Sequence, residues 1–129
     1  MIDFEIWLPQ IVGYCEFVVD DMRLRQAWIK RDFSETSVTD FDELYEQIFD
    51  DLDASNFAVN LHRYLPSSGR IAITIIEFIE TLQKTDRIRT ENSDLLDSTV
   101  LLDSVQWQLV RNSAFAVLNA VKHEGRETW

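Results

Sequence analysis

The sequence predicts an all-α fold: one domain over residues 1–129, a bundle of about five helices with a central C-terminal helix. Three observations predict it. The chain has three Gly and two Pro in 129 residues, too few for the many tight turns of a β-rich protein. Apolar residues recur at steps of three and four along most of its length. The segment from about residue 94 onward is apolar on more than one side, the pattern of a helix at the centre of a bundle. At 46% hydrophobic and 12% aromatic residues, the chain has ample bulk for one core and lacks the composition of a disordered segment.

Taken in order, Leu8, Ile11, Val12, Cys15, Val19, Met22 and Ile29 place a first helix over about 9–31. Pro9 would stand in its first turn, with residues 3–8 as a separate short turn before it, and Lys30 and Arg31 would complement its C-terminal dipole. Residues 32–39, rich in Ser and Thr, read as a loop. Asp40 and Glu43 have the spacing of a capping box, with Thr39 as the rival cap, and Phe41, Leu44, Tyr45, Ile48 and Leu52 follow on one face of a second helix. A short third helix, capped by Ser55 or Asn56, carries Phe57, Leu61, Tyr64 and Leu65 to about residue 64, and Pro66-Ser67-Ser68-Gly69 makes the turn after it. A fourth helix over about 69–85 holds Ile71, Ile75, Phe78, Ile79 and Leu82. Its opening run Ile71–Ile76 has strand-like propensity, but the helical spacing continues through Glu77–Leu82. Residues 86–92 read as a charged loop. The last helix, capped by Ser93, covers about 94–123, with a break expected near Asp103-Ser104 and a frayed tail over 124–129.

Charge narrows the function. The net charge is −11 and the pI about 4.4, which disfavours nucleic acid and anionic membranes and favours basic proteins as partners. No stretch approaches the apolar length of a membrane span, and the acidic start MIDFEIWLPQ has no basic n-region, so no signal peptide is expected. The single cysteine, Cys15, excludes an intramolecular disulfide. It is expected to be a buried small hydrophobe in a reducing, cytoplasmic setting.

Motifs for catalysis are missing from the sequence. There is no GxSxG, phosphate loop or HExxH, and neither His62 nor His123 has the Glu-x-x-His spacing of a di-iron bundle. Asp51, Asp53 and Ser55 begin like a calcium loop, but Asn56 stands at its sixth position and His62 at its twelfth, where Gly and Glu are required. Arg111 and His123 are too far apart for a helical Arg–His ribonuclease signature. No enzymatic activity, metal or cofactor is therefore expected.

What remains is acidic. From Asp32 to His62 the chain carries nine acidic residues and no Lys or Arg. Asp42, Glu46, Asp50 and Asp53 fall opposite the apolar stripe of the second helix. Such a face either keeps a protein in solution or recognises a cation-rich partner. The like charges at 42, 46 and 50 repel at i,i+4 spacing, a cost that a basic partner would relieve. The predicted partner-binding set is Glu35, Asp42, Glu46, Asp50, Asp51 and Asp53, with Trp28 and Phe33 as aromatic anchors beside them.

The stretch Ser34–Leu52 resembles the acidic helical region of bacterial immunity proteins of contact-dependent growth inhibition, over roughly the first half of the chain. The immunity proteins of DNase colicins share that acidic helical character. Their Tyr-Tyr-Pro element is not present here, where Tyr64-Leu65-Pro66 stands in a similar setting. The resemblance implies a one-to-one complex with a cationic toxin, a nuclease foremost, blocked by occlusion and without catalysis. The other reading is a helical regulatory or adaptor subunit that binds a basic partner protein.

Overall fold

Short polar side chains decide where this chain stops and restarts its helices. The computed structural model describes residues 3–65 and 69–124. Among them are seven α-helices: α1 (Phe4–Val19), α2 (Asp21–Trp28), α3 (Phe41–Glu46), α4 (Ala54–Asn60), α5 (Arg70–Glu91), α6 (Ser98–Leu102) and α7 (Val105–Glu124). A π-turn over Gln47–Asp51 extends α3, and 3₁₀ turns cover Leu61–Arg63 and Ser93–Leu96. No strand occurs among the described residues, so the all-α expectation is met and Ile71–Ile76 is helical.

The count exceeds the expected five because capping side chains divide two of the anticipated helices. The expected first helix is two. Asp20 accepts the Arg23 N–H at 3.2 Å and starts α2 there. Asp3 caps α1, so Pro9 lies inside that helix, on its exposed side, instead of in its first turn. The expected last helix is three elements. Asn92, in place of Ser93, caps the 3₁₀ turn, and the Asp97 carboxylate accepts from Thr99 and Val100 to start α6. The Ser104 hydroxyl accepts from Trp107 N at 3.1 Å, next to the break expected at Asp103-Ser104. The fourth helix is longer than expected. Residues 86–91 continue α5 because its buried stripe runs on through two polar side chains, Thr85 and Arg89. α4 begins at Ala54, after Asp53. The turn expected at Pro66–Ser68 and the tail expected over 125–129 lie outside the described residues.

α5 and α7 pack along each other, and α1 packs on α7. Trp107, Val110, Ala114, Val117 and Ala120 form the buried side of α7. Its other side is wet: Val105, Leu109 and Phe115 are 81%, 45% and 44% exposed. The C-terminal helix is thus the shared helix between α1 and α5, as the sequence anticipates, but it keeps an outer face and is not buried all round. Two aromatic groups anchor the ends of the core. Trp7 stacks on Phe57 at 4.7 Å and Phe4 on Tyr64 at 4.5 Å. Trp28 and Trp107 lie 5.4 Å apart, with Phe41 edge-on to Trp107. Cys15 is fully buried, and burial pushes its thiol well above the ordinary range. Among the described residues no helix is long and apolar enough to cross a membrane.

Candidate functional site

The acidic segment is held to the bundle from beneath by its apolar stripe. Phe41, Leu44, Ile48 and Leu52 are all buried. Asp40 Oδ1 accepts the Glu43 N–H at 2.8 Å, the N-cap the sequence anticipates. The reciprocal arm of a capping box is replaced: Glu43 Oε1 accepts from Gln47 Nε2 at 3.0 Å. The helix then widens. Leu52 N–H reaches back five residues to Gln47 O at 3.1 Å, the bond of a π-turn. The Leu52 carbonyl accepts the buried Trp7 indole N–H at 2.8 Å, which fixes the end of the segment to α1. Asp53 follows in the left-handed region with φ 51°, a conformation Asp tolerates better than most residues.

Above this base the carboxylates project outward. Asp42, Glu46, Asp50, Asp51 and Asp53 are exposed. Three ion pairs occur among the described residues: Arg25 with Asp21, Arg25 with Asp103, and Arg89 with Asp42. Glu46, Asp50, Asp51 and Asp53 are in none of them. Asp51 and Asp50 add, behind burial, to the shifts of the tyrosines on either flank. Burial first, then Asp51 and Glu43, raise the Tyr14 hydroxyl above its ordinary value. Burial first, then Asp86, raise that of Tyr45; Arg87 opposes this and Asp50 adds to it.

Asp42 differs from the other four. Its carboxylate accepts from Arg89 Nη1 at 2.8 Å, and the Arg89 side chain is only 6% exposed. Arg89 also donates to Leu95 O at 3.2 Å and lies 4.5 Å over the Phe41 ring. Asp42 therefore closes a structural clamp between α3, α5 and the 3₁₀ turn, and little of its charge is left for a partner.

The remaining expected residues divide into separate places. Glu35 is exposed on the loop after α2, where its backbone carbonyl accepts from Arg23 Nη2 at 2.8 Å. Phe33, 37% exposed, lies under the Arg31 guanidinium at 4.8 Å. Trp28 is a correction: it is 2% exposed and its indole N–H donates to Val38 O at 2.9 Å. It anchors the loop to α2 from inside the core and offers no surface to a partner.

No protein family, curated protein or solved structure matches this chain. Function must be argued from the surface itself.

A groove of about 280 Å³ separates the Glu35 loop from the acidic segment, with Tyr14, Arg23, Thr36, Ser37 and Gln47 on its walls. Across it Tyr14 Oη donates to Gln47 Oε1 at 2.8 Å. Tyr14, Tyr45 and Gln47 belong to this surface although the acidic pattern alone does not single them out. The available signal was the interruption itself: Gln47 is an uncharged polar residue i+4 from Glu43, inside an otherwise acidic helix. Carboxylates, phenol oxygens and an amide together suit guanidinium and ammonium groups. Among the described residues no three His, Cys, Asp or Glu side chains converge on a point where a metal ion could sit.

Proposed function

We propose that this chain is a non-catalytic binding protein of the immunity type, which holds a cationic toxin domain one-to-one in the cytoplasm and neutralises it. A nuclease domain is the foremost candidate, because its nucleic-acid surface would carry the Lys and Arg that Glu46, Asp50, Asp51 and Asp53 attract. The observation that carries the reading is that these four exposed carboxylates have no cationic partner among the described residues and stand on a braced segment. A fixed array of like charge loses little conformational entropy on binding. Its field speeds the encounter with a basic protein by about 10- to 1,000-fold at low salt. Occlusion follows from position: a toxin seated on these carboxylates has its phosphate-binding cations covered.

The test takes the basic product of the reading frame adjacent to this gene and titrates it with the purified chain. Nuclease activity should fall to zero at one equivalent, with an association rate that drops steeply as salt rises. The double variant Glu46→Lys/Asp50→Lys should bind at least about tenfold more weakly. Full inhibition by that variant would remove the acidic segment from the mechanism. Selective capture of a basic housekeeping protein in place of a toxin would favour the adaptor reading.

A further inference from the structure

Gly13 is a glycine that the fold does not require. It stands at an exposed position in the interior of α1. No described glycine has a positive φ, so no left-handed turn calls for it. A Cβ placed there meets nothing within 4 Å, so no neighbouring element needs the room. Relative to alanine, a glycine inside a helix weakens folding by about two- to fivefold in the equilibrium constant. The remaining use of a bare helix backbone is close approach by something outside the chain. The surroundings of Gly13 are shaped for that. Gln10, Gly13, Tyr14 and Phe17 succeed one another at helical spacing along the side of α1 that walls the groove of about 280 Å³. Thr36, Ser37 and Gln47 form the opposite wall. Gly13 is a saddle in the α1 wall, between Gln10 and Phe17.

We infer that an extended main-chain segment of the cationic partner crosses α1 at Gly13 and lies in this groove, an inference that rests on the function proposed above. The lining selects main chain. The Thr36 and Ser37 hydroxyls and the Gln10 amide both donate and accept, as successive peptide groups do. The wall is in place before a partner arrives: Tyr14 Oη donates to Gln47 Oε1 at 2.8 Å, and Gln47 Nε2 donates to Glu43 Oε1 at 3.0 Å. The volume is below the roughly 300–1,000 Å³ of a small-molecule pocket. Charge then fixes the composition of the segment. Arg23 is the one cation lining the groove. Its Nη2 donates to Glu35 O at 2.8 Å, and its guanidinium lies 5.6 Å from the centre of the Phe17 ring. Held there, it bars a Lys or Arg side chain from the groove itself. The banks are anionic. Glu35 is exposed on one, and Asp51 and Glu43 act on the Tyr14 hydroxyl from the other. The segment therefore carries small neutral residues where it passes Gly13 and Lys or Arg on either side, where they reach Glu35 and the acidic segment. A side chain at position 13 would lift it off the wall.

Calorimetric titration of the basic product of the adjacent reading frame into the wild type, Gly13→Ala and Gly13→Gln, with a thermal melt of each, tests this. Both variants should melt at or above the wild-type temperature, since Ala and Gln are better helix formers than Gly. Affinity should nevertheless fall, about fivefold for Ala and about a hundredfold for Gln, because the added atoms have no room once the segment is seated. These steric losses should be the same at low and high salt. The loss in Glu46→Lys/Asp50→Lys should shrink as salt rises, so the two contributions separate. Wild-type affinity in Gly13→Gln would overturn the inference and leave the carboxylate array standing. A loss that comes with a lower melting temperature, or one that fades in salt, would overturn it as well. A wild type that binds no such protein would end the function proposed above and this inference with it.

Discussion

Reversal of charge at Asp42 and reversal at Glu46 and Asp50 should have different consequences for stability, although all three carboxylates lie on one acidic segment. Asp42→Lys removes the acceptor of a 2.8 Å bond from Arg89, whose side chain is 6% exposed, while the Asp42 side chain is 73% exposed. Loss of one partner of a fully buried pair costs about 3–5 kcal/mol. Water reaches the Asp42 side, so about half of that applies, roughly 1.5–2.5 kcal/mol. Arg89 keeps the Leu95 carbonyl and the Phe41 face. A Lys ammonium about 5 Å from the guanidinium adds roughly 1 kcal/mol of repulsion at a water-like dielectric. The expected loss is about 2.5–3.5 kcal/mol, a fall in Tm on the order of 10 °C for a domain of this size. Glu46→Lys/Asp50→Lys removes no ion pair among the described residues and relieves i,i+4 repulsion with Asp42. Its Tm should stay within about 2 °C of wild type or rise. Thermal melts of the two variants, followed by circular dichroism at neutral pH and low salt, make the comparison. Equal losses of Tm in both, or none in Asp42→Lys, would refute the division into one clamping carboxylate and an outward-facing array.

Four further outcomes are expected. Trp7→Phe leaves the buried Leu52 carbonyl without its donor and should cost about 1–3 kcal/mol in urea unfolding. Gly13→Ala lies in an exposed turn of α1 where an added methyl meets nothing within 4 Å; it should raise stability by about 0.5–1 kcal/mol, read as a higher urea midpoint. Cys15 is fully buried with its thiol pushed up, so a thiol reagent should label the native chain at the rate of unfolding and the denatured chain at once. The Tyr14 hydroxyl is raised above 10.0 by burial and then by Asp51 and Glu43. The native chain holds this proton after the unfolded chain has lost it, so the stabilisation is whole below pH 10 and is lost as pH rises through the folded value. Tyr14→Phe should flatten that alkaline decline in a series of unfolding measurements.

The parts of the fold that were legible in the sequence are those where one periodicity governs a whole element. Phe41, Leu44, Ile48 and Leu52 repeat at helical spacing, and all four are buried. Ile71–Leu82 keeps its period against its β-branched propensity because tertiary packing outweighs propensity. The parts that were not legible are those settled by a single long-range contact. Residues 86–92 look like a charged loop, yet Arg89 is buried, as is Thr85 just before them. Thr85 takes a hydrogen bond from Gln106, and Arg89 takes a partner 47 residues away. Helix breaks at Asp20 and Asp97 are not legible for a related reason. A short acid within a helical pattern reads equally as a surface residue or as the cap of a new helix, and only the direction of the next helix decides.

The candidate surface divides along the same line. Its carboxylates were legible because charge patterning is local, and the role of each was not, because role depends on what lies opposite. Asp42 and Glu46 are four residues apart on one exposed face, and the sequence gives no reason to separate them. The difference is Arg89, which reaches Asp42 from α5 and leaves Glu46 without a cation. The same distinction bears on the aromatic residues. Trp28 and Phe33 lie five residues apart beside the acidic segment, but the Val38 carbonyl draws the Trp28 indole inward, while Phe33 stays at the surface under Arg31. On the function proposed above, the recognition surface is what remains after the core and its clamps have taken the residues they need: Glu46, Asp50, Asp51 and Asp53, bordered by Tyr14, Tyr45 and Gln47. That remainder is almost wholly anionic and hydrogen-bonding, so its specificity must lie in the spacing of charges held by the π-turn and not in an apolar pocket. Mutations that straighten the turn without changing any charge should then weaken a cationic partner as much as the loss of a carboxylate does.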